Sequence, residues 1–215
     1  MTNWEKLLTE KSHFLSFRYV SAFELPEHLF TWLKKACIDA KKEGDKANSK
    51  LLGHIKEEYN INNVSEEFEN YITSCSIKGA VFEAWKSINV ISENKPIYLD
   101  KLWVNYQKKH EFNPPHDHSG FVSFVIFINI PYDLEEEENM FSSLANTEKS
   151  VNHTSKFAFI NPSYDGKIRV DPIDVDKSFE GNMMMFSADQ MHEVYPFYTS
   201  DDYRITVSGN LKFRV

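Results

Sequence analysis

The sequence is poor in cysteine and glycine and has no long hydrophobic run. Its two cysteines, Cys37 and Cys75, are too few for a disulfide framework and are interpreted as reduced core thiols. Seven glycines and the lack of any period of roughly 20–50 residues argue against a repeat array. No apolar run approaches the roughly 20 residues of a membrane helix. The chain begins Met-Thr-Asn-Trp-Glu-Lys, without a basic stretch followed by an apolar one, so no secretory signal is expected.

Basic residues are also scarce relative to acidic ones. The sequence has 24 Lys and Arg against 32 Asp and Glu, a formal net charge of −8. Nucleic-acid binding depends on neutralising phosphates with Lys and Arg, so this balance argues against a nucleic-acid partner. Together with the missing membrane helix and signal, it predicts a soluble, cytoplasmic protein with no membrane partner.

Aromatic residues, by contrast, are frequent, with 17 Phe and 10 Tyr among 215 residues. Aromatic side chains favour strands and the cores of sandwiches. The length suits one compact domain, whose hydrophobic spacing changes at Pro96. Residues 1–95 are predicted to be mainly helical and to pack on a β core formed by residues 96–215.

Within residues 1–95, helical spacing and end signals mark three helices after a predicted strand at 13–22. The first helix starts at Pro26 and stops at Gly44, and the second follows a capping pair of Asn63 and Glu66. The third carries the apolar residues between 81 and 88.

After Pro96 the chain offers short strands without helical patterns between them, so an α+β fold with an antiparallel sandwich or barrel is expected. The predicted strands span residues 97–108, 121–130, 156–160, 167–170, 182–187, 191–196 and 203–213.

The segment Asn-Pro-Pro-His-Asp-His-Ser-Gly, residues 113–120, contains two histidines at a spacing that suits a metal. In extended backbone, His116 and His118 project to one face and Asp117 projects to the other. Neutral imidazole is a ligand for iron, copper, nickel and zinc, so the pair is half of a candidate transition-metal site. Two surface histidines in a proline-rich loop are the alternative interpretation.

The C-terminal strand alternates strictly between polar and apolar residues. One face carries Arg204, Thr206, Ser208 and Asn210, and a third histidine, His192, lies twelve residues before Arg204. The polar face is either solvated or the floor of a pocket in which Arg204 grips a small carboxylate bidentately.

These residues, in this order and spacing, resemble the 2-oxoglutarate/Fe(II)-dependent oxygenases with a double-stranded β-helix. Asn105-Tyr106 followed by Phe-Asn-Pro-Pro-His at 112–116 is similar to the prolyl-4-hydroxylase branch. The two histidine motifs and the following Arg-Ile-Thr-Val-Ser-Gly-Asn are similar to uncharacterised oxygenases encoded by bacteriophages of marine cyanobacteria. The resemblance covers about residues 97–215. It implies a jelly-roll, cupin-like core with supporting N-terminal helices.

The resemblance also implies a function and roles for single residues. It implies a non-haem, Fe(II)- and 2-oxoglutarate-dependent dioxygenase that couples decarboxylation of the keto acid to oxidation of a C–H bond, with dioxygen as co-substrate. His116 and His192 are implied as iron ligands, and Arg204, Thr206 and Tyr106 as binding residues for 2-oxoglutarate.

The second iron ligand departs from the usual pattern, which has a carboxylate two residues after the first histidine. Geometry favours His118, because residue i+2 returns to the same strand face. Charge favours Asp117, because a carboxylate completes the usual facial triad of iron enzymes. We predict His118, which makes His116, His118 and His192 both the metal ligands and the catalytic residues.

Two other functions fit the same residues. One is a non-catalytic β-sandwich that serves in binding or as an accessory phage protein, and the other is a cupin-like three-histidine metalloenzyme that uses no keto acid. The substrate, a small molecule or a protein or peptide side chain, has no readable motif. The acidic run at 133–139 is interpreted as a loop, either a solvated connection or a lid that selects a basic substrate.

Overall fold

The computed structural model describes residues 2–9, 20–48, 51–87, 96–142, 153–163 and 165–214. The described helices are α1 (Asn3–Thr9), α2 (Glu27–Glu43), α3 (Glu66–Lys78), α4 (Ala80–Ser87) and α5 (Leu134–Ser142). The described strands are β1 (Ser21–Glu24), β2 (Glu57–Asn60), β3 (Ile97–Gln107), β4 (Asn113–His116), β5 (Val122–Asn129), β6 (Phe157–Pro162), β7 (Ile168–Ile173), β8 (Asn182–Ser187), β9 (His192–Val194) and β10 (Arg204–Phe213). No helix in the described part of the chain is both long enough and apolar enough to cross a membrane.

Helix α2 forms where the sequence predicts it. It follows Pro26 and ends at Gly44, which adopts a left-handed φ of 74° and donates its N–H to the carbonyl of Ala40. Glycine reaches this conformation without steric cost, which explains the helix end. The apolar stripe of α2, including Leu29 and Leu33, is buried.

The predicted capping pair before α3 is wrong. Ser65, not Asn63, is the N-cap, and its hydroxyl accepts a hydrogen bond from the backbone N–H of Phe68 at 3.2 Å. Glu66 is the first helical residue and is therefore too early in the turn to complete a capping box. The amide of Asn63 instead donates to Glu43.

The strands form two antiparallel sheets. The major sheet has six strands in the order β1-β8-β5-β10-β3-β2, and the minor sheet has four in the order β4-β9-β6-β7. The antiparallel sandwich predicted for the C-terminal part is thus confirmed. The N-terminal part contributes β1 and β2 to the two edges of the major sheet. Most of the predicted strand at 13–22 lies outside the described residues.

Two hydrophobic cores lie on opposite faces of the major sheet. One is formed with the helices and includes Leu33, Phe68 and Ile126. The other lies between the sheets and includes Phe127 of the major sheet and Phe159 of the minor sheet. Strand β5 is buried on both faces, which explains its nearly continuous apolar sequence.

The acidic run does not form the loop predicted for it. It begins helix α5, whose first turn carries Glu135, Glu136 and Glu137, where the helix dipole favours negative charge. Glu137 is fully buried and accepts hydrogen bonds from the backbone N–H groups of Tyr198 and Thr199. The carboxylate therefore fastens α5 to the chain just before β10, while Asp133, Glu135 and Glu136 of the run are exposed.

Candidate metal centre and pocket

Three histidines meet where strands β4 and β9 pair at the edge of the minor sheet. His116 and His192 lie directly opposite each other in this pairing. Pro114 and Pro115 fit within β4 because β4 is an edge strand, where a missing backbone donor costs no ladder hydrogen bond. His118 follows β4, and its backbone N–H donates to the carbonyl of Ala188 at 2.9 Å.

The imidazole nitrogens of these histidines are close enough to share one ion. Each of the three offers a ligand atom, and these atoms all lie within 4.8 Å of one another. The ring centroids of His116 and His192 are 4.2 Å apart, and His118 lies 5.0 Å from each. Three imidazole nitrogens in this arrangement suit a first-row transition metal.

Backbone hydrogen bonds fix which nitrogen is free in two of the rings. Nδ1 of His116 lies 2.7 Å from the carbonyl oxygen of Pro114, and Nδ1 of His192 lies 2.8 Å from that of Gln190. A carbonyl oxygen only accepts, so both Nδ1 atoms carry the hydrogen and donate. Each Nε2 then presents a lone pair, the arrangement found in metal-binding histidines.

The surroundings keep all three imidazoles neutral. Burial lowers the pKa of His116, and burial with the neighbouring His116 ring lowers the pKa of His118 to about 4. Burial likewise puts the pKa of His192 well below its usual value. Neutral imidazole is the form that binds a metal, so the cluster is ready for one at physiological pH.

Asp117 does not join the cluster. Among the described residues, the one group of three metal-binding side chains that approach this closely contains His118 and omits Asp117. Asp117 is exposed, as the strand alternation predicts, while the ring of His118 packs 5.6 Å from that of Trp103. The residues present therefore fit Fe(II) as a three-nitrogen set without a carboxylate.

The histidines line one end of a pocket of about 130 Å³ between the two sheets. Its floor is formed by the inward faces of β3 and β10, and its walls are largely aromatic. The floor residues are Trp103, Asn105, Gln107, Arg204, Thr206 and Ser208. The aromatic wall residues are Phe127, Phe157 and Phe186.

The polar face of β10 is therefore a pocket floor rather than a solvated surface. Asn105 donates from Nδ2 to the hydroxyl oxygen of Thr206 at 3.1 Å and to that of Ser208 at 3.4 Å. Asn210 is buried outside the pocket lining, where its Oδ1 accepts a hydrogen bond from Ser123. A register shift between Asn210 and Leu211 ends the regular alternation at this point.

Arg204 is buried, with 3% of its surface exposed, and all its partners are uncharged. Its Nε and Nη2 both donate to Oε1 of Gln107, at 2.9 and 2.7 Å. The remaining bonds go from Nη1 to Tyr132 and to the carbonyl of Ser155, and from Nη2 to the carbonyl of Tyr195. No carboxylate of the described residues pairs with this buried cation.

The structure does not bring Tyr106 to the pocket. Side chains alternate along β3, so Asn105 and Gln107 face the pocket and Tyr106 faces the helices. There the Tyr106 ring packs against Tyr203, with centroids 5.5 Å apart. Burial raises the pKa of its hydroxyl.

Gln107 and Glu58 line the pocket but carry no motif that identifies them in the sequence. Strand alternation alone could have placed Gln107 in the pocket, because it shares a strand face with Asn105, two residues earlier. Glu58 reaches the pocket through the pairing of β2 with β3, which local sequence does not reveal.

Comparison with solved structures supports the fold. A prolyl-4-hydroxylase from Pseudomonas putida superposes with a TM-score of 0.53 at 14% identity, over 94% of this chain and 96% of that chain. A 2OG-Fe(II) oxygenase family oxidoreductase from Burkholderia pseudomallei gives 0.51 at 10% identity, over 98% and 88%. A viral collagen prolyl hydroxylase from Paramecium Bursaria Chlorella virus-1 gives 0.50 at 11% identity, over 92% and 97%. These likenesses confirm the predicted α+β fold with a double-stranded β-helix.

Sequence comparison identifies the family. A search of curated proteins gives no significant match. A family model described as "Putative 2OG-Fe(II) oxygenase" matches residues 101–210, just over half of the 215 residues, and this segment contains all three histidines and Arg204. The chain therefore belongs to the 2OG-Fe(II) oxygenases, and it is an oxidoreductase whose cofactors are Fe(II) and 2-oxoglutarate.

Proposed function

We propose that this oxygenase is a hydroxylase whose iron is held by His116, His118 and His192. Arg204 binds the distal carboxylate of 2-oxoglutarate, and Thr206 lies beside it on the pocket floor. When bound, Fe(II) and 2-oxoglutarate together supply the oxidising power that activates dioxygen for attack on a C–H bond. The protein supplies binding, orientation and exclusion of water.

The observation that carries this proposal is the buried, unpaired charge of Arg204 in the same pocket as the histidines. A buried guanidinium without a counter-charge is costly, and an anion that enters the pocket removes part of that cost. A carboxylate binds arginine best along one edge of the guanidinium, through two parallel N–H donors. Gln107 holds the Nε–Nη2 edge in the free protein, so the incoming carboxylate displaces its amide oxygen.

The charge of the histidine set supports the same conclusion. Three neutral imidazoles bring no negative charge to a divalent ion, whereas the usual facial triad brings one carboxylate. An anionic 2-keto acid supplies the missing negative charge. The aromatic walls formed by Phe127, Phe157 and Phe186 keep the site poor in water, which strengthens these electrostatic contacts.

Anaerobic titration with Fe(II), with and without 2-oxoglutarate, tests the proposal. We expect a weak visible charge-transfer band that requires both the metal and the keto acid. His116→Ala and His192→Ala should remove the band while leaving the melting temperature unchanged. A protein that binds Fe(II) yet shows no band at millimolar 2-oxoglutarate contradicts the proposed role of the keto acid in this pocket.

One observation favours a second candidate, a three-histidine metal site that takes no keto acid. Every N–H of the Arg204 guanidinium already has an acceptor within the protein. If these bonds hold the strands together and never open, Arg204 has a structural role only. The same titration separates the two candidates, because only the first requires 2-oxoglutarate.

We also propose a cytoplasmic location and a relationship to phage-encoded oxygenases. Cys37 and Cys75 are both buried free thiols, and unpaired cysteines suit a reducing compartment. The phage relationship is supported by the histidine and arginine motifs of the sequence. A protein fused to a fluorescent reporter and observed in its host tests the location.

A further inference from the structure

Glu58 is a buried carboxyl group that faces the pocket and has no role in the proposed iron or keto-acid site. Only 2% of its surface is exposed, although it lies on β2, the edge strand of the major sheet. In the β2–β3 pairing Glu58 lies opposite Asn105, and Asn105 in turn lies opposite Thr206 of β10. These three residues form one row across the pocket floor.

The carboxyl group of Glu58 has fewer partners than its burial requires. Oε2 accepts one hydrogen bond, from Nδ2 of Asn48 at 2.9 Å. Among the described residues, nothing donates to Oε1, and no Lys, Arg or His nitrogen pairs with the group. Burial and the nearby charge of Glu111 raise its pKa to about 7. A buried carboxyl group so poorly paired is costly unless a ligand completes it.

Several carbonyl oxygens near Glu58 lack a hydrogen-bond donor. The buried Oδ1 atoms of Asn48, Asn105 and Asn113 have no hydrogen-bond partner in the described structure. The Nδ2 groups of Asn48 and Asn105 are used by protein acceptors. Asn105 and Asn113 line the pocket together with Glu58, so a ligand that donates hydrogen bonds suits this end of the pocket.

The approach to this acceptor cluster is apolar. Leu51, Leu52 and Ile55, which shortly precede Glu58 in the sequence, also line the pocket, and Leu52 is 67% exposed. Exposed leucine beside a polar cluster suits a ligand with an aliphatic stem and a charged head. Alkylammonium groups have this character, because their methylenes pack on apolar surface while the head binds oxygen atoms.

We propose that Glu58, with Asn105 and Asn113, binds an alkylammonium group of the substrate, so that the oxygenase acts on an amine-bearing molecule. The inference rests on the proposed function, because it takes the pocket to be the oxygenase site. Trp103 connects the two ends: it is two residues from Asn105 on the same strand face, roughly 7 Å away along the strand. Its ring also contacts that of His118.

Binding of matched probes tests this inference. We would titrate the full chain anaerobically by calorimetry. One series contains Fe(II) and 2-oxoglutarate and the other contains neither, so that a failure to bind the cofactors is distinguished from a failure to bind the probe. The cationic probes are n-butylamine, a free amine, and N-acetyl-lysine methylamide, a side chain within a peptide unit. N-acetyl-norleucine methylamide is the neutral comparator.

We expect the lysine probe to bind at least about tenfold more tightly than the norleucine probe. Glu58→Gln should remove this preference while keeping an acceptor for Asn48. Glu57→Gln is the matched control, because Glu57 is the preceding residue of β2, does not line the pocket and bonds to Tyr203 and Lys41 instead. It should leave the preference unchanged.

The two cationic probes also distinguish the source of the amine. Tighter binding of the lysine probe than of n-butylamine indicates that the amine of the substrate belongs to a peptide or protein side chain. The reverse order indicates a free amine. Equal binding of the lysine and norleucine probes, a preference that survives Glu58→Gln, or no binding of either cation at millimolar concentration overturns the inference. If the preference is found but the visible band of Fe(II) and 2-oxoglutarate is not, the proposed function fails while the amine site stands.

Discussion

The amide oxygen of Gln107 accepts hydrogen bonds from both Nε and Nη2 of Arg204, so a neutral side chain occupies the edge of the guanidinium that a carboxylate prefers. The two residues lie opposite each other in the β3–β10 pairing, which holds the contact in place. In the proposed site, binding of 2-oxoglutarate to Arg204 would exchange a neutral acceptor for a charged one. The exchange is favourable because charge-assisted hydrogen bonds are about twice as strong as neutral ones.

Gln107→Leu should make the protein more dependent on 2-oxoglutarate for its stability. In the free variant the Nε of Arg204 is left buried without an acceptor, which costs about 1–3 kcal/mol. The carboxylate restores the lost hydrogen bonds. We expect a lower melting temperature without ligand and a larger ligand-induced rise than in the wild type, measured by anaerobic thermal melts with Fe(II). A smaller rise in the variant contradicts the exchange of Gln107 for the carboxylate.

The three-histidine arrangement makes a prediction about the second ligand. His118→Ala should weaken Fe(II) binding by more than about tenfold, because it removes one of three ligands, while Asp117→Ala should have a much smaller effect. Metal content after anaerobic dialysis against a competing chelator measures both.

His153→Ala is a matched control for the loss of an imidazole. His153 lies outside the cluster and contacts the hydroxyl group of Tyr195 at 2.8 Å, so its removal should leave Fe(II) content unchanged. A greater loss of iron in Asp117→Ala than in His118→Ala would restore the usual triad with one carboxylate.

The buried carboxyl group of Glu58 predicts a pH-dependent effect on stability. Its pKa is about 7 in the folded protein and about 4.5 in the unfolded chain, so the folded state holds the proton more tightly. The stability contributed by the protonated form is present below pH 4.5 and is lost as the pH rises through 7.

Glu58→Gln cannot lose a proton, so it should be more stable than the wild type above pH 7, by up to about 3 kcal/mol, and similar to it near pH 4.5. Urea denaturation of both proteins at several pH values measures the difference. A difference in the free energy of unfolding that stays constant across this range would show that Glu58 does not titrate in this way.

The sequence was sufficient to predict the parts of the site that are local in the chain. His116 and His118 share a face because they are two residues apart, and Arg204 and Thr206 share a face for the same reason. The end of α2 at Gly44 was also readable, because one residue determines it. Resemblance to the oxygenases added the correct fold, which periodicity alone left as a sandwich or barrel.

The parts that the sequence could not predict depend on strand pairing. Glu58 enters the pocket because β2 pairs with β3, and 46 positions separate it from Asn105, its partner in the register. Tyr106 was carried over from a motif, but the alternation of β3 turns it to the helices. The acidic run was interpreted as a loop because its charges obscure the helical pattern. Only Glu137 of the run is buried, and its carboxylate accepts hydrogen bonds from the backbone of Tyr198 and Thr199.

The most direct test of the keto-acid site is calorimetric titration of 2-oxoglutarate into anaerobic, Fe(II)-loaded wild type, Arg204→Ala and Arg204→Lys. Arg204→Ala should retain iron but lose about 2–5 kcal/mol of keto-acid binding, roughly 30-fold to several-thousand-fold in affinity. Arg204→Lys should recover only part of this affinity, because an ammonium group does not offer the two parallel N–H donors of the planar guanidinium. If Arg204→Ala instead lowers the melting temperature and binds 2-oxoglutarate as tightly as the wild type, the guanidinium is structural and the proposed site is contradicted.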